Sequence, residues 1–152
     1  MAGKYFEDFV VGEEYATPSR TLTETDIVLF AAMSGDYNEL HTSEAFGKET
    51  QFGKRIGHGL LGLAVSHGLF FRLGLVEGTA IAFLGIESWS FEAPFFIGDT
   101  IRVKVRVAEK KESKSKPDRG VVKFFFEMVK EPGQRIQSGY KAIMIKRKQQ
   151  KG

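Results

Sequence analysis

The sequence predicts an α+β chain in which an antiparallel sheet wraps around one long buried helix. Three observations lead there. Gly59 to about Leu73 is apolar nearly all round, which marks a buried helix rather than a surface one. From Ala80 the apolar spacing changes from helical to alternating, clearest where Ile101, Val103, Val105 and Val107 interleave with Arg102, Lys104 and Arg106. Early helices followed by a run of strands belong to the α+β class rather than to alternating α/β folds.

Taken in order, Tyr5 to Gly12 mixes aromatics and acids and ends at a turn glycine. Glu14 to Leu22 reads as extended, and Pro18 keeps it out of the middle of a sheet. Thr23-Glu24-Thr25-Asp26 starts a helix, with Thr23 as cap and the acids complementing the dipole. Ile27, Phe30, Ala31 and Ser34 then share one face. Gly35 suits the left-handed position where that helix stops. Thr42 reads as the cap of a short helix over Ser43 to Lys48, and Glu49 to Arg55 as a polar loop. In the long helix, Leu60, Leu63, Ala64, His67 and Phe71 lie near one face, with Leu61, Val65 and Leu69 flanking it. Gly68 inside it predicts close packing there, and Gly74 a stop. Ala80 to Phe91 is a strand, followed by Ile101 to Val107. Lys110 to Gly120 is a flexible hairpin loop, and Val121 to Lys130 a strand with Phe124, Phe126 and Met128 on one face. Pro132-Gly133 turns into the last strand, Arg135 to Lys146. Trp89 and the Phe-rich strands are read as core or dimer surface.

The 152 residues suit a single domain over 1–152, with a flexible basic tail expected at 147–152. The net charge of +3 is mild, and no stripe of Lys and Arg with interleaved aromatics points to nucleic acid. A mildly basic surface favours a phosphate-bearing ligand. The absence of cysteine excludes disulfides, thiolate metal sites and a Cys nucleophile. Three histidines, His41, His58 and His67, do not argue for zinc, and no metal is expected. No leader and no apolar run of spanning length stand out, so the expectation is a cytoplasmic protein with no membrane partner.

The chemistry concentrates in Met33-Ser34-Gly35-Asp36-Tyr37-Asn38-Glu39-Leu40-His41. An acid, an amide and an imidazole follow a helix end on one tight loop, where Asp36 and His41 can converge on one water. Ile56-Gly57-His58-Gly59 then opens the long helix, and a helix start offers unpaired N–H groups to a developing oxyanion. These residues resemble the MaoC-like dehydratases, the family of (R)-specific enoyl-CoA hydratases. The family pattern of Gly-Asp-x-Asn-Pro-aliphatic-His stands here as Gly35-Asp36-Tyr37-Asn38-Glu39-Leu40-His41, then His58-Gly59. Phe91-Glu92-Ala93-Pro94 and Gly98-Asp99-Thr100 look like its later strand-turn segment. Glu39 stands where the family usually has Pro, and His67 where some members carry a serine.

The resemblance implies a hot-dog fold and reversible addition of water to a trans-2-enoyl thioester, giving the (R)-3-hydroxyacyl product. It implies Asp36 and His41 as the acid–base dyad. The Gly59 N–H would stabilise the enolate-like transition state. No cofactor is expected, coenzyme A being part of the substrate. Asn38 would either orient the dyad or serve the turn. His58 is a helix-start or supporting residue beside the substrate, and His67 either packs or touches the acyl group. Hot-dog proteins host more than one reaction, so an acyl-CoA thioesterase and a non-catalytic acyl-CoA-binding subunit are the rival readings. A small sheet on one helix leaves open strand edges, which predicts at least a homodimer paired edge to edge, with the acyl site near the interface.

Overall fold

In a computed structural model, which describes residues 3–148, the chain places four helices against a six-stranded antiparallel sheet. After a single 3-10 turn at Phe6–Asp8 come strands β1 (Glu14–Ala16) and β2 (Arg20–Thr21). Helices α1 (Glu24–Ser34), α2 (Glu39–Thr42), α3 (Glu44–Glu49) and α4 (Gly59–Phe71) follow. The long strands are β3 (Ala80–Phe91), β4 (Thr100–Glu112), β5 (Arg119–Lys130) and β6 (Gln134–Lys146). Spatially the order is β1-β4-β5-β6-β3, with β2 also on the outer edge of β4. Pro18 falls in the break between β1 and β2, both of them edge strands, as its missing N–H requires.

The core forms where α4 lies in the curve of the sheet. Val103, Val107, Phe124, Phe126, Met128 and Phe70 are fully buried, so the alternation predicted for β4 and β5 points inward as expected. Phe70 packs against both Phe124 (5.1 Å between ring centroids) and Phe126 (5.2 Å). The β4–β5 hairpin runs further than its polar sequence indicated. Lys110, Lys111 and Glu112 remain paired with Val122, Val121 and Gly120, which narrows the loop to 113–118. Strand pairing overrides the low strand propensity of that charged stretch. Arg147 pairs with Glu7 (2.9 Å) and Glu112 (3.2 Å), and Lys148 pairs with Asp8. The start of the basic tail is thus tied to the N-terminal turn, while 149–152 lie outside the described residues.

Helix α4 buries one face and exposes the other. Leu61, Gly62, Val65, Ser66, Leu69 and Phe70 face the sheet, whereas Leu60 is 60% and Phe71 44% exposed. The helix expected to be buried all round is therefore buried on the Leu61, Val65 and Leu69 row, which meets the Phe-rich strands, and open on the row that holds Leu60 and Phe71. Gly68 also departs from expectation, since a Cβ there would meet nothing within 4 Å. The close approaches fall earlier. A Cβ at Gly57 would lie 1.8 Å from the Phe95 ring, and one at Gly62 2.3 Å from Gln137 Nε2. These glycines let the 93–95 loop and β6 press against the start of α4.

Candidate active site

Two helix junctions position the acid and the imidazole. Thr23 and Asp26 cap α1 reciprocally, and Gly35 ends it in the left-handed conformation at φ 77°. The chain reverses there, and Asn38 caps α2 by accepting a hydrogen bond at its Oδ1 from Leu40 N (3.0 Å). His41 thus stands on a one-turn helix, not on an open loop, and the next cap is Ser43 rather than Thr42. The Thr42 hydroxyl instead donates back to the carbonyls of Tyr37 and Asn38 (both 3.1 Å).

His41 is buried, and its Nδ1 lies 2.8 Å from the Ile56 carbonyl. A carbonyl can only accept, so Nδ1 carries the proton in the neutral ring and Nε2 is left with its lone pair. That Nε2 is 4.0 Å from Asp36 Oδ2, whose side chain is half exposed. The spacing is too long for a direct hydrogen bond and suits one bridging water. Asp36 Oδ1 also accepts from Asn38 N, at 3.3 Å.

His58 backs this pair. Its ring stacks on His41 with centroids 3.9 Å apart, and its Nε2 donates to the Asp36 backbone carbonyl (3.0 Å). Burial pushes the His58 imidazole below its usual pKa, so the ring stays neutral behind His41. Asp36, His41 and His58 each bring a possible ligand atom within 4.8 Å of the others. Of these atoms, His58 Nε2 is already bonded to the Asp36 carbonyl, and the two rings lie only 28° from parallel.

A cavity of about 370 Å³ opens beside the pair, lined by His41, Phe52, Gly59, Phe91, Pro94 and Gln137 among others. Gly59 is the first residue of α4, so its N–H has no carbonyl a turn earlier to bond. Its carbonyl accepts from Gln137 Nε2 (3.1 Å), and Gln137 Oε1 accepts from Trp89 Nε1 (3.1 Å). This relay fixes the start of α4 against the sheet. Arg55 acts likewise from outside. It pairs with Glu24 and Glu44 (2.6 Å each) and donates to the His41 carbonyl (3.3 Å), which ties α1, α2 and α3 together.

Of the residues singled out in the sequence, Asp36 and His41 come together, and His41 and Gly59 line one cavity. Asn38 serves the turn. His58 sits behind His41, 1% exposed, and does not line the cavity. His67 lies two turns along α4 and lines a separate cavity. Gln137, Trp89 and Arg55 were not legible as site residues, since their contacts join distant parts of the chain. The available signal was weak: Gln137 shares an inward row with Gly139, Ile143 and Ile145.

Residues 8–124 match the family model described as MaoC like domain. Over 107 residues the chain is 38% identical to an (R)-specific enoyl-CoA hydratase of Rhodospirillum rubrum, covering 68% of this chain and 69% of that protein. It is 40% identical over 107 residues to Protein MaoC of Klebsiella aerogenes, but spans only 31% of that longer protein. A solved structure titled as a monoamine oxidase regulatory protein, from Archaeoglobus fulgidus, superposes with a TM-score of 0.91 at 34% identity, covering 98% of each chain. A Mycobacterium tuberculosis protein with a double hotdog fold superposes at 0.83 over 99% of this chain and 47% of its own, at 18% identity, a likeness of fold alone. The fold is the hot-dog fold.

Proposed function

The chain belongs to the MaoC-like family, and from that premise we propose that it is a hydro-lyase adding water reversibly to trans-2-enoyl-CoA thioesters, giving the (R)-3-hydroxyacyl product. The observation that carries this is the His41 Nε2 lone pair, 4.0 Å from the Asp36 carboxylate at the mouth of a cavity that also holds the start of α4.

The reaction follows from that geometry. The thioester carbonyl accepts from the Gly59 N–H, which draws electrons from the double bond toward oxygen. A water between His41 and Asp36 loses a proton to the pair as its oxygen bonds to C3. The pair returns a proton to C2, and the enolate collapses to the thioester. Both groups lie on one side of the substrate, so addition is syn. Neutral His58 behind His41 avoids setting a second positive charge against the imidazolium that forms.

Following crotonyl-CoA by loss of enoyl absorbance, with free thiol assayed in parallel, tests this reading. Enoyl loss without thiol release is expected, whereas thiol release alone would make the protein a thioesterase. In deuterated water the product should be (R)-3-hydroxybutyryl-CoA with syn deuterium at C2. An anti product would remove the single-water step. The scheme uses no metal or redox cofactor, so a chelator is expected to leave the rate unchanged.

We infer a homodimer in which β3 pairs with its symmetry mate. Among the described residues β3 bonds only to β6, which leaves its other edge open over Ala80–Phe91. Ile81 and Leu84 on it are exposed, as is Phe71 of α4. A long apolar edge beside an apolar helix face is a surface that needs a partner. Light scattering should give twice the chain mass, and a monomer at working concentration would refute the pairing. No helix among the described residues is long and apolar enough to cross a membrane. We place the protein in the cytoplasm, where acyl-CoA thioesters are available.

A further inference from the structure

We propose that the gutter between α4 and β3 ends in a carboxylate-binding site formed by Lys141 and His67, and that the favoured acyl group carries a carboxylate at its far end. The thioester part of this rests on the hydratase reading, but the anion site does not.

Lys141 is 1% exposed on the inner face of β6, in a row that continues with Ile143 and Ile145. Its Nζ donates to Ser66 Oγ (2.9 Å) and lies over the rings of Phe126 (4.2 Å) and Trp89 (4.9 Å). None of the carboxylates among the described residues pairs with it, and an ammonium has three donors to place. The Ser66 hydroxyl already donates to the Leu63 carbonyl (2.7 Å), so it meets Lys141 only as an acceptor. Beside it, His67 Nδ1 is buried without a hydrogen-bond partner. A buried ammonium and an orphaned imidazole nitrogen on one cavity leave polar capacity that nothing among the described residues uses.

Both residues line one cavity of about 270 Å³, whose other walls are apolar: Phe30, Leu60, Leu63, Ala64, Phe83 and Ile86. This cavity is separate from the one at Gly59, and the proposed acyl path joins the two along the outer face of α4, where Leu60, Leu63, Ala64 and His67 follow Gly59. A Cβ at Gly59 would meet Phe91 at the end of β3, while His67 lies 4.9 Å from Phe83 earlier in that strand. From Gly59 to His67 the helix rises about 12 Å, at about 1.5 Å per residue. Extended chains advance about 1.2 Å per bond. Allowing for a hydrogen bond at each end, an acyl group of about eight carbons spans the distance. An apolar gutter of that length with an ammonium and an unpartnered imidazole nitrogen at its far end matches a chain that is apolar along its length and anionic at its tip. Burial lowers Lys141 to about 7 and, with the lysine charge beside it, His67 to about 4. A carboxylate arriving between them would restore the charge on Lys141.

The test measures equilibrium binding of suberyl-CoA and octanoyl-CoA, which differ only at the far end, to the full chain by calorimetry. The wild type should bind suberyl-CoA about tenfold or more tightly than octanoyl-CoA, the effect of one charge-assisted contact. Lys141→Met should abolish the preference. Saturation with suberyl-CoA should also raise the Lys141 pKa read from its side-chain NMR signal, and octanoyl-CoA should not. Equal affinity of the two ligands for the wild type, binding of neither, or a preference that survives Lys141→Met would overturn the proposal. Crotonyl-CoA turnover is measured on the same preparations. Turnover without the suberyl preference removes the anion site alone, whereas the preference without turnover removes the hydratase reading alone.

Discussion

Asp36→Asn and His41→Ala are each expected to lower crotonyl-CoA hydration by about 10²–10⁴-fold, the usual contribution of an acid–base group. The two variants isolate different functions. Asp36 is half exposed, and its Oδ1 accepts only a 3.3 Å hydrogen bond from Asn38 N. Asparagine can keep that contact, so the fold should be intact and the loss should fall on kcat. His41 is buried, donates to the Ile56 carbonyl and stacks on His58. Alanine there also removes packing, so the variant should lose stability as well as turnover. Circular dichroism and thermal melting separate the two effects. Near-normal turnover in either folded variant would exclude that residue from the proton transfer. Gln137→Leu should act more mildly, since it frees the Gly59 carbonyl and Trp89 Nε1 without touching the dyad. A fall in kcat with an unchanged pH profile is expected there.

Much of this architecture was readable before the structure, wherever local periodicity carried the information. The alternation in Ile101–Val107, the Thr23 cap and the left-handed Gly35 are short-range signals, and each holds in the fold. The Asp36 and His41 pairing was readable because both lie within one turn of chain. Helix α2 was not, since four residues are too few to show a helical period. The working face of α4 was also hidden. An apolar helix gives no orientation by itself, and the Phe-rich strands decided which row turned inward. Arg55, Gln137 and Lys141 act through partners 31, 78 and 75 positions away, where no spacing rule reaches. Only the break in an apolar row marks Lys141, a lysine two places before Ile143. Such violations of a local rule concentrate at functional or strained positions.

That lysine leads to the other large expected effect. Lys141→Met should make the free protein more stable at neutral pH. Burial lowers the ammonium from 10.5 to about 7, so the folded state disfavours a proton that the unfolded chain takes up readily. The sign follows from the depressed value. Stability is undiminished above pH 10.5, declines as the pH falls toward about 7, and loses nothing further from this group below that. At about 1.4 kcal/mol per pKa unit the upper bound approaches 5 kcal/mol. The rings of Phe126 and Trp89 and local relaxation offset part of it, which leaves about 1–3 kcal/mol recoverable by an apolar side chain of similar length. Methionine leaves no donor stranded, because the Ser66 hydroxyl keeps its bond to the Leu63 carbonyl. For a chain of this size the melting temperature should rise by about 3–8 °C at pH 7. The advantage over wild type should shrink steadily as the pH is raised toward 10. A variant less stable than wild type at pH 7, or an advantage independent of pH, would mean that Lys141 is compensated within the fold.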